Sequence, residues 1–485
     1  MSSRTILFLA CVALWLPFVG RSLFIDDHAH FREAVERGLR PGTPYAQEGL
    51  GWKKGQSPGE ANPPLYFYVV GAATRLVGVD TWKIHILLLP LHLFGLGAFF
   101  VLARRWTRHP LWASLLWLTT PHFWVTTNSL LLDAWLAPLF LVGLALWIDG
   151  WETNSKSRLA VGALFLGLTP LVKYTGFLAW AVAGVWTMGE RKQPFTRRWL
   201  FILIPVGMMG AWLIWSGTIY GRSHLTATAA TSVAPFDSGR LWTLLVFFFL
   251  STPTAILGAA AFRPASPRDR IDGLLLLWIA VGLAGLLWAR GWVCARYFVI
   301  VGPAAVLLSV RAMERVHWAG SKIFRAATLG LLATGGAAVA AADFFQARVD
   351  FLAARDLEAA RKILEPNSVG RYPGALLSGL SYYLPDDRWK PINPGETPAP
   401  GEVAALPGRQ LPKAFRPNVE GLRPAASFIY RSPIPIRLQD GPTGAGWYGS
   451  IWGKHPLSFS MDPVEVYFLL TPPTADTVPT DPLKS

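Results

Sequence analysis

The sequence predicts an all-α polytopic membrane protein with a small α+β domain at its C-terminal end, and three observations carry that prediction. Of 485 residues, 52% are hydrophobic and only 15% are charged, against roughly 25% charged in soluble domains. Apolar runs close to the ~20 residues that a bilayer demands recur along the chain as far as position 345. From 346 to 485 those runs cease and Pro and Gly become frequent. The net charge of +15 does not point to nucleic acid, because no basic arm with interleaved aromatics and no Gly-rich RNA-binding signature accompanies it. Cys11 and Cys294 lie within or near apolar runs and form neither a disulfide framework nor a metal-ligand spacing.

Taken in order, the first apolar run covers 5–19 behind a single Arg4. It resembles a secretory signal in length, but no small-x-small cleavage site closes it, so an uncleaved first helix is expected. Further runs lie at 84–103, 111–128, 130–149, 159–172, 176–189, 199–217, 241–262, 271–289, 297–311 and 325–345. Together they predict about eleven spans, with breaks or short helices expected around Asn128 and Lys173. Alternate short connections are rich in Lys and Arg, among them Arg104, Arg105 and Arg108, then Lys156 and Arg158, then Arg311, Arg315, Lys322 and Arg325. Those face the cytoplasm by the positive-inside rule and the opposite turns face outside, while an odd span count places the loop 21–83, too long and mixed in charge for that rule, together with the C-terminal segment outside.

The loop 21–83 is too long for a simple connection. It opens on Phe24-Ile25-Asp26-Asp27-His28-Ala29-His30, two adjacent carboxylates at the mouth of a membrane segment, where a charge is costly unless water, a cation or a substrate offsets it. The competing reading is that Asp26 and Asp27 merely begin a solvated loop. A short helix with one partly apolar face is expected over 27–39, carried by His30, Phe31, Ala34, Val35 and Leu39, then a Gly/Pro-rich loop over 40–59. Asn62-Pro63-Pro64-Leu65-Tyr66-Phe67-Tyr68 leads into a second short apolar helix ending near Gly78, the paired prolines suiting a first helical turn.

An acidic pair straight after the first span, a surface helix and a Pro-Pro-Leu-aromatic motif together resemble the GT-C-fold glycosyltransferases that use polyprenyl-phosphate sugars. The pattern is similar to protein O-mannosyltransferases and lipid A aminoarabinose transferases, whose loop reads Asp-Glu followed by His-Pro-Pro-Leu or Lys-Pro-Pro-Leu. Here Asp27 replaces the Glu, and Asn62 stands where His or Lys is commoner. Three later places fit the resemblance: Leu132-Asp133-Ala134-Trp135, Leu171-Val172-Lys173-Tyr174-Thr175-Gly176, and Ala295-Arg296-Tyr297-Phe298 with Pro303 following. The overlap covers about 5–345, and the order and common exterior placement of the motifs carry it rather than any one of them.

The resemblance implies transfer of a sugar from a polyprenyl-phosphate donor to an extracytoplasmic acceptor, with inversion in a single displacement. Such a reaction needs a base for the incoming hydroxyl and cations for the departing phosphate. Asp26 is expected as the base, with Asp27 orienting the acceptor or a neighbouring cation. Lys173 and Arg296 are expected at the phosphate, since a cation at the membrane's outer edge is a natural counter-ion for a lipid head group; the alternative is that each snorkels to the interface and anchors its helix. Asp133 is expected to hold one of these cations or to position the exterior helix, with helix capping as its plainer role. Asn62 and Tyr297 complete the expected binding set, and Arg222 and Arg290 are weaker candidates. His28 and His30 beside the acidic pair lack a recognised metal spacing, so no metal and no cofactor are expected.

The expected domains are therefore a GT-C-like catalytic domain over 1–345 and an extracytoplasmic domain over 346–485, with 471–485 disordered. An amphipathic helix is expected over 351–364, and buried helix or strand pieces at 375–377, 382–384, 426–430 and 464–470. The location expected is the plasma (inner) membrane with the site facing the exterior. The rival class is a transporter or flippase of lipid-linked sugars, but transporters place functional charges at the midplane or in broken helices there.

Overall fold

The protein is described from a computed structural model, which covers residues 1–37, 62–189, 197–232, 237–261, 269–288, 293–316, 321–374, 379–409 and 417–471, apart from the side chains at 26 and 230–232. The expectations for 40–59, Arg290, 375–377 and 472–485 lie outside those residues. The chain divides into two compact units. The first comprises Met1–Gly20, His30–Ala340 and Trp447–Ser450; the second comprises Arg21–Ala29, Ala341–Gly446 and Ile451–Ser485.

The first unit is helical, and the chain is an integral, multi-pass membrane protein. Among the described residues, Thr81–Trp106, Asp133–Thr153, Arg197–Tyr220, Arg270–Trp288 and Lys322–Leu364 are long and apolar enough to cross a bilayer. Ser238–Ser251 with Thr254–Ala261, bent by 100°, makes a sixth if the pair counts as one span. Pro253 stands at that bend, where it cannot continue the hydrogen-bond ladder. Other apolar runs are similarly divided: 111–128 becomes Pro110–Leu118 and Pro121–Thr127, and 297–311 becomes a 3-10 turn, Ala295–Ile300, then Gly302–Glu314. This is why length and composition reach five or six spans while the apolar runs number about eleven.

One helical hairpin positions Asp133 and Lys173. Its helices, Asp133–Thr153 and Lys156–Val172, are joined by a tight turn in which Asn154 adopts the left-handed conformation (φ 58°) and Ser155 caps the second helix by accepting from the Arg158 amide. The two helices pack through small residues: a Cβ on Gly162 would lie 2.7 Å from the Trp147 nitrogen, and one on Gly150 would lie 2.8 Å from Leu159. Close backbone approach of this kind is how helices associate where lipid offers no hydrophobic driving force. Asp133 and Lys173 are equally far along the chain from Thr153, so the hairpin returns them to the same end. Aromatic contacts fill the surrounding core, Phe99 stacking on Trp117 at 4.7 Å and Phe140 meeting Trp278 at 4.8 Å.

The short helices of the long loop are present, one as Asp26–Arg37 and the other as Leu65–Val77, the latter started by Pro64 and ended by Gly78 at φ 85°. The last span and the amphipathic helix are not separate elements. They form one helix, Lys322–Leu364, whose 43 residues are about twice what a bilayer requires.

The second unit is built on a five-stranded mixed sheet. Its strands are β1 (Gly370–Pro373), β2 (Trp389–Ile392), β3 (Val403–Pro407), β4 (Arg423–Tyr430) and β5 (Glu465–Thr471), in the order β2-β1-β3-β5-β4. β1 runs parallel to β2 and β3, while β5 runs antiparallel to β3 and β4. The segments 426–430 and 464–470 are thus strands, 382–384 falls at the short helix Leu380–Tyr383, and Thr471 closes β5 rather than opening a tail. Val349, Ala353 and Leu357 pack with Tyr372, Trp389, Val403 and Leu469 in one apolar core.

Asp350 lies in that core beyond the apolar stretch of its helix, accepting from the Gly379 amide at 2.7 Å and the Tyr467 hydroxyl at 2.8 Å. Burial pushes its carboxyl up to about 6, against the lowering effect of those two donors. The folded state therefore holds a proton that the unfolded chain has released, and stability falls as pH rises from about 4 to about 6 and then levels. The change is about 3 kcal/mol. Unfolding of the detergent-solubilised chain measured across that range should show the slope, and Asp350→Asn should remove it; equal slopes in the two proteins would refute this assignment.

Candidate functional site

Within the first unit, the hairpin end carries a compact polar cluster. Asp133 opens its helix in the first turn, where a carboxylate is favoured by the helix dipole. It does not cap that helix: the N-cap is Leu132, and no side chain serves there. Instead its carboxylate, 3% exposed, accepts from Lys173 Nζ at 2.7 Å and lies 3.5 Å from Arg296 Nε. Asp133 thus holds both of the expected cations, and its capping role is set aside.

Lys173 stands just past Val172 in an extended conformation, directly before the 3-10 turn Tyr174–Gly176. The glycine is required there, since a Cβ on Gly176 would fall 2.4 Å from the Thr169 carbonyl carbon. The Gly176 amide donates to the Lys173 carbonyl at 2.8 Å, which closes the turn and presents the lysine inward. Its ammonium sits 4.2 Å from the centre of the Tyr297 ring, and the Arg296 guanidinium carbon is 5.5 Å from the same ring. Both cations therefore lie close to the Tyr297 ring. The lysine is thus directed at a buried carboxylate and an aromatic ring.

Arg296, only 4% exposed, belongs to the 3-10 turn Ala295–Ile300. The backbone before it is pinned by a segment far along the chain. The Ala295 amide donates to the Trp447 carbonyl at 2.8 Å, the Ser450 amide to the Val293 carbonyl at 2.9 Å, and the Val293 amide to Ser450 Oγ at 3.0 Å. Cys294 Sγ completes the strap by contacting the Tyr448 carbonyl at 2.8 Å. Trp447 and Tyr448 are fully buried, so the strap is an integral part of the first unit.

Other motif residues support the Asp133 turn. Tyr66, from the Pro-Pro-Leu-aromatic motif, donates its hydroxyl to the Leu130 carbonyl and meets the Trp135 ring at 5.7 Å. His30 packs against Tyr66 at 6.4 Å and Phe67 at 6.1 Å between ring centres. Asn62 is half-buried immediately before the paired prolines. Next to Lys173, the Tyr174 hydroxyl pairs with His224 Nδ1 at 2.6 Å and accepts from Trp212 Nε1 at 3.1 Å. That partly buried trio was not foreseen.

Within the second unit, Asp27 is fully buried and accepts from Arg21 at 2.5 Å. The other side of Arg21 donates to Asp343, also at 2.5 Å. Asp27 therefore orients, or is oriented by, a cation that sequence reasoning missed. A sequence signal for it exists all the same: Asp343 is a lone acid closing the apolar run 325–345, and such an acid calls for a partner. Ile25, directly before the helix that begins at Asp26, has φ 52°. A β-branched residue in that region stores about 1–3 kcal/mol of strain, and such strain gathers at sites where geometry is functional. The side chain of Asp26 lies outside the described residues. His28 Nδ1 is engaged by the Ile25 carbonyl, and among the described residues no three His, Cys, Asp or Glu side chains gather as a metal site.

No family model matches the chain, and no curated protein matches it. Solved structures do. ArnT from Cupriavidus metallidurans bound to undecaprenyl phosphate superposes with a TM-score of 0.57 at 17% identity, over 78% of this chain and 84% of that one. The apo state of the same protein gives 0.53 at 16% identity, over the same shares. At such identities the likeness speaks for architecture, and on it this chain has the GT-C fold.

Proposed function

We propose that the protein is a membrane glycosyltransferase that moves one sugar from a polyprenyl-phosphate donor to a hydroxyl on an extracytoplasmic lipid, glycan or protein, with inversion. The observation that carries this reading is the convergence of Lys173 and Arg296 on Asp133 and Tyr297 at one end of a helical hairpin. Support comes also from the fold, shared with a protein whose structure holds undecaprenyl phosphate.

In the proposed reaction the Asp26 carboxylate takes the proton of the acceptor hydroxyl. The acceptor oxygen forms a bond to the anomeric carbon while the bond from that carbon to the phosphate oxygen breaks. The electron pair leaves with the polyprenyl phosphate, whose added charge Lys173 and Arg296 offset. Asp133 fixes the direction of both cations, Tyr297 offers its ring to both, and Asn62 joins the binding set. Under this reading 1–345 is the catalytic domain, 346–485 an exterior domain, and the site opens to the outside of the plasma membrane.

Lys173→Ala should weaken binding of an undecaprenyl-phosphate-linked donor by roughly ten- to a hundredfold, the worth of one charge-assisted hydrogen bond. An unchanged donor affinity in a folded variant removes Lys173 from the site. For the activity as a whole, glycolipids and glycoproteins from cells with and without the gene are compared by mass spectrometry. Identical glycan profiles would defeat the transferase reading.

A further inference from the structure

A cavity lies in the first unit, away from the Asp133 cluster. It is a groove of about 820 Å³ between the first helix, Ser3–Trp15, and the helices Thr81–Trp106 and Asp133–Thr153. Asp149 lines its polar end, about 24 Å along its helix from Asp133. The walls are apolar and outward-facing, with Phe8 51%, Phe94 70% and Val101 38% exposed. Gly97 forms part of the floor, and a Cβ placed on it would meet nothing within 4 Å.

The polar end is distinctly cationic. Arg4, Arg104 and Arg158 line it against the single carboxylate of Asp149. That carboxylate is already held by Arg158 and by Arg105, and Arg105 also lies 3.1 Å from Glu152. Arg4 and Arg104 are exposed and form no ion pair among the described residues. An apolar trough, open to the side and ending in two uncommitted guanidinium groups, matches one amphiphile of the surrounding medium. Its apolar length suits an acyl chain, and its arginines suit a phosphate without a compensating amine.

We propose that this groove binds an anionic phospholipid of the bilayer, its phosphate between Arg4 and Arg104 and an acyl chain along Phe8, Phe94 and Val101 over Gly97. The site is independent of the transferase reading, because none of its residues belongs to the Asp133 cluster or to the acidic pair.

Native mass spectrometry of the full-length chain in detergent, with phosphatidylglycerol and phosphatidylcholine carrying the same acyl chains, tests it. The wild type should retain phosphatidylglycerol roughly tenfold over phosphatidylcholine. Arg4→Gln combined with Arg104→Gln, both at exposed positions, should bring the two lipids to parity. Gly97→Phe should lower retention of both by occupying the trough. Equal retention of the two lipids by the wild type, or a preference that survives the double substitution, would overturn the proposal. Undecaprenyl phosphate displacing phosphatidylglycerol from the wild type, through the same two arginines, would overturn the choice of occupant.

Discussion

Asp26→Asn should abolish sugar transfer, by about 10²–10⁴-fold or to the limit of detection, while leaving membrane insertion and abundance unchanged. The substitution exchanges a carboxylate for an amide of nearly equal volume, so it removes the capacity to accept a proton and little else. Asp26 is the first residue of its helix and comes directly after Ile25 in a left-handed conformation. Strain at that residue makes sense if the direction in which the next side chains leave the backbone is worth holding. Asp27→Asn provides the contrast. Asp27 is committed to Arg21, and its loss should lower the unfolding temperature as well as activity. If product formation in cells carrying Asp26→Asn matches wild type, the assignment of the base is wrong.

Arg21→Met should destabilise the protein by about 3–5 kcal/mol. Arg21, Asp27 and Asp343 have side chains at most 2% exposed, and one guanidinium serves both carboxylates. Removing it takes one shared cation from two buried acids, and the penalty is set by the desolvation of those acids rather than by the worth of a single contact. Adding Asp27→Asn and Asp343→Asn in the Arg21→Met background should therefore recover part of the loss, because two buried charges then become neutral amides. Denaturant unfolding of the solubilised chain measures both steps. A shift below about 0.5 kcal/mol for Arg21→Met, within the range of ordinary surface substitutions, would show that the triad is not held as described.

How much of this was readable in the residues depends on how far apart the interacting groups lie along the chain. The pairing of Asp133 with Lys173 could be read, because both belong to one helical hairpin and stand equally far from its turn, and the lone charges at the ends of apolar runs mark them. The short helices Asp26–Arg37 and Leu65–Val77 were readable for the same local reason, since periodicity and Pro and Gly punctuation announce them. Division of the apolar runs was only partly legible. Proline at 121 and 253 marks two breaks, but the 3-10 turn that carries Arg296 has no such mark.

Other features had no local signature. Arg21 meets Asp343 across 322 positions, and Val293 meets Ser450 across 157. Hydropathy and spacing could state that a buried Asp343 needs a cation, but several arginines were equally eligible, and packing of distant segments chose among them.

Composition, apolar run length and the order of the motifs were enough to say that this is a membrane-embedded helical chain whose lone acids and bases gather at span ends. They were enough because helix period, bilayer thickness and the cost of burying charge act on neighbouring residues. Partner choice was settled in three dimensions: both cations on Asp133, the strap at 447–450 behind Arg296, and the shared guanidinium of Arg21. Each depends on the free energy of leaving a buried polar group unmet, and that quantity is defined only once the folded chain has fixed what surrounds the group.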